Sequence, residues 1–432
     1  MRIKRFAALT ASLGVIAAFG AAVPMSAGAE GYTAVTGGEV RFEKYLVMDK
    51  DATTPNVSFV YDIAPGEAKA ATATTQEIIA GPAGAKFKHV DGDSVTVSGT
   101  GDTTATVAFT PTDATVLDSS ADSQKTISFR DDTPGNEKYA AKAVTVDLSG
   151  VSFTEPGIYR YAVTETPSTY GGIVNDTVLV RYLDVYVVNN EGTLEVRAKV
   201  FQNDDSQPEY TQAITTGDKK STGFTNKYST NDLTLEKVVS GNQSSKNKYF
   251  KFTVKLVNPT GADGITINDN DKFAVSGTFD KEVSSVTSAT IYTASEIQTA
   301  NNVTSVTFSE ISAGKVFYLK GGQNVIINGI PAGLGYEIVE VPEDYKPTIT
   351  STGDTSNEAA DDIAALAQGE DTVSDKLLEA DTTVKYTNFR GGQIPTCVLT
   401  TVAGSAVIAA LGLAGILAGS YYIKKKRSEE EQ

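Results

Sequence analysis

Apolar and polar positions alternate along much of this chain. Val95-Thr-Val-Ser98, Ile158-Tyr-Arg-Tyr-Ala-Val163 and Val178-Leu-Val-Arg-Tyr-Leu-Asp-Val-Tyr-Val-Val188 are examples, and turn residues separate such runs. A period of two places successive side chains on opposite faces of a strand. The pattern therefore predicts many short antiparallel strands stacked as sandwiches. One helix is expected from Asn357 to Leu366, where Ile363 and Leu366 share a side. Ser229-Thr230-Asn231-Asp232 reads as a short polar joint between two halves.

Two stretches abandon the alternation. Phe6 to about Val23 is apolar, follows Arg2, Lys4 and Arg5, and precedes Ala27-Gly28-Ala29. A basic start, an apolar run and a small-x-small site mark a cleaved secretory signal, residues 1–29. At the other end, the 26 residues from Val398 to Ile423 carry no charge and are long enough to cross a bilayer. Lys424, Lys425, Lys426 and Arg427 follow, and positive charge marks the cytoplasmic side. Residues 398–423 are thus the expected transmembrane segment and 424–432 a cytoplasmic basic tail. What lies between the two ends belongs outside the cell.

Composition narrows the function of that exported part. Glu30 to Gly392 is 363 residues, room for two or three domains. Without the basic residues of the two ends, 30 of the 37 Lys and Arg remain; without Glu429, Glu430 and Glu431, 50 of the 53 acidic residues remain. An excess of about 20 negative charges argues against nucleic acid or anionic lipid as a partner. No cysteine precedes Cys397, so disulfides do not hold the fold. The single histidine, His89, removes His-based triads and His-rich metal sites, and neither a metal nor a cofactor is expected. No pair of carboxylates stands in a recognisable catalytic motif, so a surface hydrolase is disfavoured. Trp is absent while Tyr and Phe are plentiful, which suits antiparallel β structure.

The two halves share an order of motifs. The first has Val40-Arg-Phe-Glu-Lys44, Tyr161-Ala-Val-Thr-Glu165 and Phe224-Thr-Asn226; the second has Leu233-Thr-Leu-Glu-Lys237, Tyr336-Glu-Ile-Val-Glu340 and Tyr386-Thr-Asn388. The Lys–Glu and Glu–Asn separations are 121 and 61 residues in the first half and 103 and 48 in the second, a difference that loop insertions absorb. Counting by twos puts Lys44 on the face of Phe42 and Leu46, and Lys237 on that of Leu235 and Val239. Glu165, Glu340, Asn226 and Asn388 fall on apolar faces by the same count. A lone lysine of this kind is usually an edge residue or half of a buried ion pair. Two triplets in one order and one parity point to chemistry instead.

Burial lowers the pKa of Lys, giving a nucleophilic amine, and raises that of Glu, giving a proton donor. The amine then attacks the Asn side-chain carbonyl while Glu polarises it and shuttles protons to departing ammonia. A Lys–Asn isopeptide bond removes the buried charge and ties the first strand of each half to the last. Reduction cannot break such a staple, although like a disulfide it restricts the unfolded chain.

Gln393-Ile394-Pro395-Thr396-Cys397, the apolar span and the basic tail together resemble a cell-wall sorting signal. Sortases, membrane-bound cysteine transpeptidases, cut such signals after the Thr; Ile394-Pro395-Thr396 is similar to the variant common in pilins. Cys397 stands where the family has Gly, the residue that enters a narrow cleft without a Cβ clash. At Leu233 to Leu256, Gly329-Ile-Pro-Ala-Gly333, Tyr336-x-Ile-x-Glu340 and Tyr386-Thr-Asn388 the chain resembles the streptococcal major-pilin family, and the first half is similar through Phe42-Glu-Lys44, Tyr161-x-Val-x-Glu165 and Phe224-Thr-Asn226. The Trp-containing motif of some corynebacterial relatives has no counterpart here.

The resemblance implies an all-β fold of tandem immunoglobulin-like or Cna-B-like sandwiches, at 30–228 and 229–390, with the sorting motif at 391–397. It implies cross-links Lys44–Asn226 and Lys237–Asn388, promoted by Glu165 and Glu340. It also implies an inter-subunit lysine shortly before the first linkage Asn, in Thr215-Thr-Gly-Asp-Lys219-Lys220: Lys219 is favoured, then Lys220, then Lys199. The expected function is a backbone pilin of a Gram-positive cell wall. Its partners are pilin-type and housekeeping sortases, copies of itself, peptidoglycan and host surface ligands. It is no enzyme, since each bond forms once. The rival reading is a monomeric wall-anchored adhesin for a host matrix protein or glycan, which needs a binding face that no motif names.

Overall fold

The computed structural model describes residues 32–90, 94–119, 126–130, 135–210, 219–259, 264–353 and 372–392. The expected secretory signal, the helix expected at 357–366, the motif from Gln393 to Cys397, and the expected transmembrane segment and basic tail lie outside the described residues. Among the described residues no helix is long and apolar enough to cross a membrane.

The fold is all-β, as the alternation predicts. In the first half, one sheet runs in the order Ile173–Val174, Gly223–Tyr228, Glu39–Asp49, Glu137–Asp147, Lys86–Lys88. A second runs Thr193–Gln202, Val180–Asn190, Gly157–Thr166, Val57–Pro65, Thr104–Phe109, Val95–Ser98. Phe42 and Leu46 from the first sheet join Phe59, Tyr61, Val163 and Leu183 from the second in one buried core. The second half repeats the plan. One sheet orders Ser305–Thr307, Lys272–Gly277, Asn324–Pro331, Thr230–Ser240, Thr382–Phe389, Lys346–Thr352; the other orders Lys315–Leu319, Phe250–Val257, Gly335–Val341, Thr372–Leu377. Its core draws on both sheets, with Leu233, Leu235 and Tyr386 against Phe250, Phe252 and Ile338.

One feature of the topology positions the site residues. In each half the strand bearing the lysine and the strand bearing the asparagine are neighbours and run parallel, Glu39–Asp49 beside Gly223–Tyr228 and Thr230–Ser240 beside Thr382–Phe389. Parallel neighbours cannot be joined by a hairpin, so in each half most of the chain runs between the two strands. Their approach is close: a Cβ on Gly223 would stand 1.7 Å from the Glu43 carbonyl oxygen. Only glycine fits there.

Two expectations need correction. The polar joint is shorter than its composition suggests, because Thr230, Asn231 and Asp232 already belong to the strand Thr230–Ser240 and leave Ser229 alone between the halves. Asp232 sits at an irregularity in the pairing. Its N–H donates to Asp381 Oδ1 at 2.8 Å and its own carboxylate accepts from Gly329 N at 2.9 Å, so side chains satisfy the backbone that a loop would have left to water. Two short helices, Ala294–Asn301 and Phe308–Ser312, interrupt the strands of the second half where the alternation predicts none. Each starts with a reciprocal capping box, Thr293 with Glu296 and Thr307 with Glu310, and buries an isoleucine, Ile297 or Ile311.

The halves touch through the segment that leaves the strand Gly157–Thr166. Tyr170 bridges to Thr266, Gly171 N donates to Thr266 O at 2.8 Å, and Thr266 N to Thr169 O at 2.8 Å. The buried Asp271 carboxylate accepts from Asn56 Nδ2 at 2.6 Å and from the Tyr170 hydroxyl.

Candidate functional site: two buried lysine–glutamate pairs

Register brings the three residues of each triplet together. Lys44 pairs across the ladder with Phe224, and Lys237 with Tyr386. The asparagine lies two residues further along the neighbouring strand in both cases, on the same face as the aromatic partner. The glutamate comes from the opposite sheet. Lys44, Glu165, Asn226, Glu340 and Asn388 are all fully buried and Lys237 nearly so.

In the first half, Lys44 Nζ donates to Glu165 Oε2 at 2.7 Å, and the Tyr61 hydroxyl donates to the same oxygen at 2.5 Å. The amine stands 4.1 Å from the centroid of the Phe59 ring. Burial pushes the Lys44 amine down to about 8, and the charge of Glu165 opposes that shift only in part. The Asn226 amide is held by the loop that follows Val174: its Oδ1 accepts from Asp176 N at 3.0 Å and its Nδ2 donates to Asn175 Oδ1 at 3.4 Å.

In the second half, Lys237 Nζ and Asn388 Nδ2 both donate to Glu340 Oε1, at 2.6 and 2.9 Å. One carboxylate oxygen thus gathers the amine and the amide. Phe250 and Phe252 line the site, with ring centroids 4.4 and 5.7 Å from the amine. Burial lowers Lys237 to about 8, again against the pull of its glutamate. Among the described residues Asn388 Oδ1 accepts no hydrogen bond.

Two ion pairs in an apolar core are expensive. The desolvation of both ions is repaid only by excellent geometry and full hydrogen bonding, and Glu165 Oε1 has no partner among the described residues. What the arrangement offers is reactivity: an amine that is neutral for much of the time near pH 8, a carboxylate in contact with it, and an amide on the adjoining strand. Tyr61, Asn175, Asp176 and the rings of Phe59 and Phe250 belong to these sites although the sequence reading did not single them out. Parity alone places Phe59 and Tyr61 inward in the strand Val57–Pro65. Asn175 and Asp176 lie in a turn, where no period exists to be read.

The linkage lysines occupy different surroundings. Lys219 is half-buried and its Nζ donates to Ser206 Oγ at 3.1 Å. Lys220 is also half-buried and forms an isolated bridge with Gln202. Lys199 donates to the Glu39 carbonyl at 2.8 Å, and burial lowers its pKa. Residues 211–218, which precede the pair, lie outside the described residues.

Comparison with known proteins adds the following. The profile of a Spy0128-like isopeptide containing domain matches residues 85–229, which takes in Glu165 and Asn226 but not Lys44. The profile of a domain of unknown function (DUF7601) matches residues 231–373, with Lys237 and Glu340 inside and Asn388 outside. A pilin of Streptococcus pyogenes serotype M1 is 26% identical over 294 residues, 66% of this chain and 73% of the relative. The crystal structure of the major pilin from Streptococcus pyogenes superposes with a TM-score of 0.48 at 19% identity, covering 83% of this chain and 100% of the other. The T-13 major pilin of the same species gives 0.45 at 21% identity, covering 83% and 99%.

Proposed function

We propose that this chain, which is similar to a Spy0128-like isopeptide containing domain over residues 85–229 and to a Streptococcus pyogenes pilin at 26% identity, is a Gram-positive pilin and the repeating subunit of a covalent pilus shaft, exported, joined head to tail by a pilin-type sortase and finally attached to peptidoglycan. Its two halves, 30–228 and 229–390, are proposed as two sandwich domains, each closed by one isopeptide bond: Lys44 to Asn226 with Glu165, and Lys237 to Asn388 with Glu340. The single observation that carries the reading is the repeated placement of a buried Lys–Glu pair where the first and last strands of a domain lie parallel. A staple there bears load directly, because tension on a fibre pulls the terminal strands apart first. The protein turns over no substrate: each bond forms once and stays.

Ile394, Pro395, Thr396 and Cys397 are proposed as the sorting motif, with Thr396 forming the acyl intermediate that the next subunit's lysine resolves. Contact with host surface ligands is a consequence of display on such a fibre. Immunoblotting of cell-wall extracts tests the proposal. A ladder of species that survives boiling in detergent is expected from a strain with its sortases intact. A single monomer band from that strain would overturn the shaft reading in favour of a wall-anchored adhesin.

A further inference from the structure

The reaction proposed for the first domain develops negative charge on Asn226 Oδ1 when the Lys44 amine adds to the side-chain carbonyl. Stabilising that oxygen is the largest single contribution to most acyl transfers, and it needs a donor already in place about 3 Å away. A backbone N–H occupies that position: Asp176 N lies 3.0 Å from Asn226 Oδ1. We infer that the turn Asn175–Asp176 is the oxyanion site of the first cross-link, with the Asp176 N–H as the catalytic donor and the Asp176 carboxylate as the positioning group that holds it. The inference rests on the Lys44–Asn226 reading and adds to it a fourth participant.

The turn is built for one orientation of the amide. Ile173 and Val174 pair antiparallel with Tyr228 and Lys227, which carries the chain alongside the asparagine strand and delivers the turn next to Asn226. The Asp176 carboxylate then ties three elements together. Its Oδ2 accepts from Thr225 N at 2.8 Å, beside the reacting residue, and from Arg181 Nη2 at 2.9 Å. Its Oδ1 accepts from Val178 N at 2.9 Å. Asn175 in turn is locked to Ser168, accepting from Ser168 N at 2.8 Å and donating to Ser168 O at 3.0 Å. Its Oδ1 therefore faces the Asn226 nitrogen at 3.4 Å. The amide can accept at one end and donate at the other only in a single sense, with the oxygen on the N–H and the nitrogen on the side from which ammonia must leave.

The step balances with these groups. The neutral Lys44 amine adds to Asn226 Cγ while Glu165 takes a proton from it; the Asp176 N–H holds the oxyanion; Glu165 then returns the proton to Nδ2 as the Cγ–Nδ2 bond breaks. The products are one amide N–H and one ammonia molecule. The second domain is organised differently, since among the described residues Asn388 Oδ1 accepts no hydrogen bond. The donor is a property of the first site, and the second serves as its control.

The test follows cross-linking in the full chain in its native host, by pulse labelling, digestion and mass mapping of the peptide pair joined through Lys44 and Asn226. In Asp176→Ala that pair should appear at least about tenfold more slowly than in the wild type, short of the roughly 10²–10³-fold that outright loss of one oxyanion donor costs, because the main-chain N–H remains but is no longer held in place. Asp176→Asn keeps an oxygen toward Thr225 N and Arg181 and should recover most of the rate. The Lys237–Asn388 pair in the same digests should form at an unchanged rate in every variant. If both pairs slow together, or if Asp176→Ala links as fast as wild type, the oxyanion assignment is wrong. Should Asp176→Ala fail to fold, Asn175→Ala replaces it, and unchanged linkage in that variant is equally decisive against the turn. Absence of the Lys44–Asn226 pair from wild type is a separate outcome, and it removes the cross-link itself.

Discussion

Lys44 and Lys237 are each unusual for a reason visible in two-residue spacing. Parity put both on apolar faces, and both are buried against a glutamate. The proposed bond predicts a mass for the folded exported chain that is lower than its sequence requires by two ammonia molecules. Glu165→Ala should restore one and Glu340→Ala the other, each with a fall in melting temperature. A second prediction follows from the lowered amine. In Asn226→Ala the first bond cannot form and Lys44 stays as a titratable group near 8 in the folded state, against 10.5 when exposed. Between those values the unfolded chain binds more protons than the folded one, so stability rises with pH across that window. The full gain is on the order of 3 kcal/mol. Below about pH 8 the folded domain carries the cost of the buried ammonium undiminished. Urea titrations at pH 7.5 and 10 should therefore show Asn226→Ala gaining midpoint at the higher pH relative to wild type, whose linked nitrogen does not titrate; equal responses would mean that Lys44 is not the buried amine described. What parity could not supply was the rest of the site. Which aromatic ring covers the amine, and that Tyr61 shares the carboxylate, depend on contacts between sheets, and the Asp176 N–H is a main-chain group that no side-chain pattern records.

At the scale of elements, the alternating runs found their strands because each buries one face: the strand Thr230–Ser240 alternates buried and half-buried positions from Leu233 to Ser240. The strand Glu39–Asp49 obeys the rule less well. From Lys44 to Met48 every residue is buried, since Tyr45 and Val47 are covered on the outer face by Tyr139 with Ile127 and Phe129. The two short helices lie where the informative signal in the sequence is local rather than periodic. Thr293-x-x-Glu296 and Thr307-x-x-Glu310 are both capping-box signatures, and both boxes are closed in the structure. The Thr293 side chain accepts from Glu296 N at 3.2 Å while the Glu296 carboxylate accepts from Thr293 N at 2.7 Å. Thr293→Ala should lower the stability of the second domain by about 1 kcal/mol, read from chemical denaturation. A loss within error would mean that Ile297, buried against Tyr249 and Tyr318, fixes the helix without help from its cap.

For the whole molecule, the proposed polymerisation sets a geometric demand. Thr396 stands four positions beyond Gly392, a reach of about 14 Å when fully extended. In that proposal the lysine accepting one subunit's Thr396 has to come close to that subunit's Gly392 and present its amine to a sortase. Lys44 and Lys237 are sealed in the two cores and cannot. Lys199 is turned back onto the Glu39 carbonyl within its own domain. Lys219 meets the demand better. It follows Thr215-Thr-Gly-Asp218 in sequence and lies a few residues before the strand Gly223–Tyr228, and among the described residues its amine donates to the Ser206 hydroxyl, a neutral contact that costs little to release. Lys220, engaged at the strand edge beside Gln202, is the nearest substitute. Replacing both, Lys219→Ala with Lys220→Ala, should abolish the detergent-resistant ladder in the native host while monomer still reaches the wall, because neither residue takes part in the sorting motif or in either core. The two internal cross-links should remain complete by mass, which separates a lost linkage point from a lost fold. A normal ladder from the double variant would place the inter-subunit bond on another lysine.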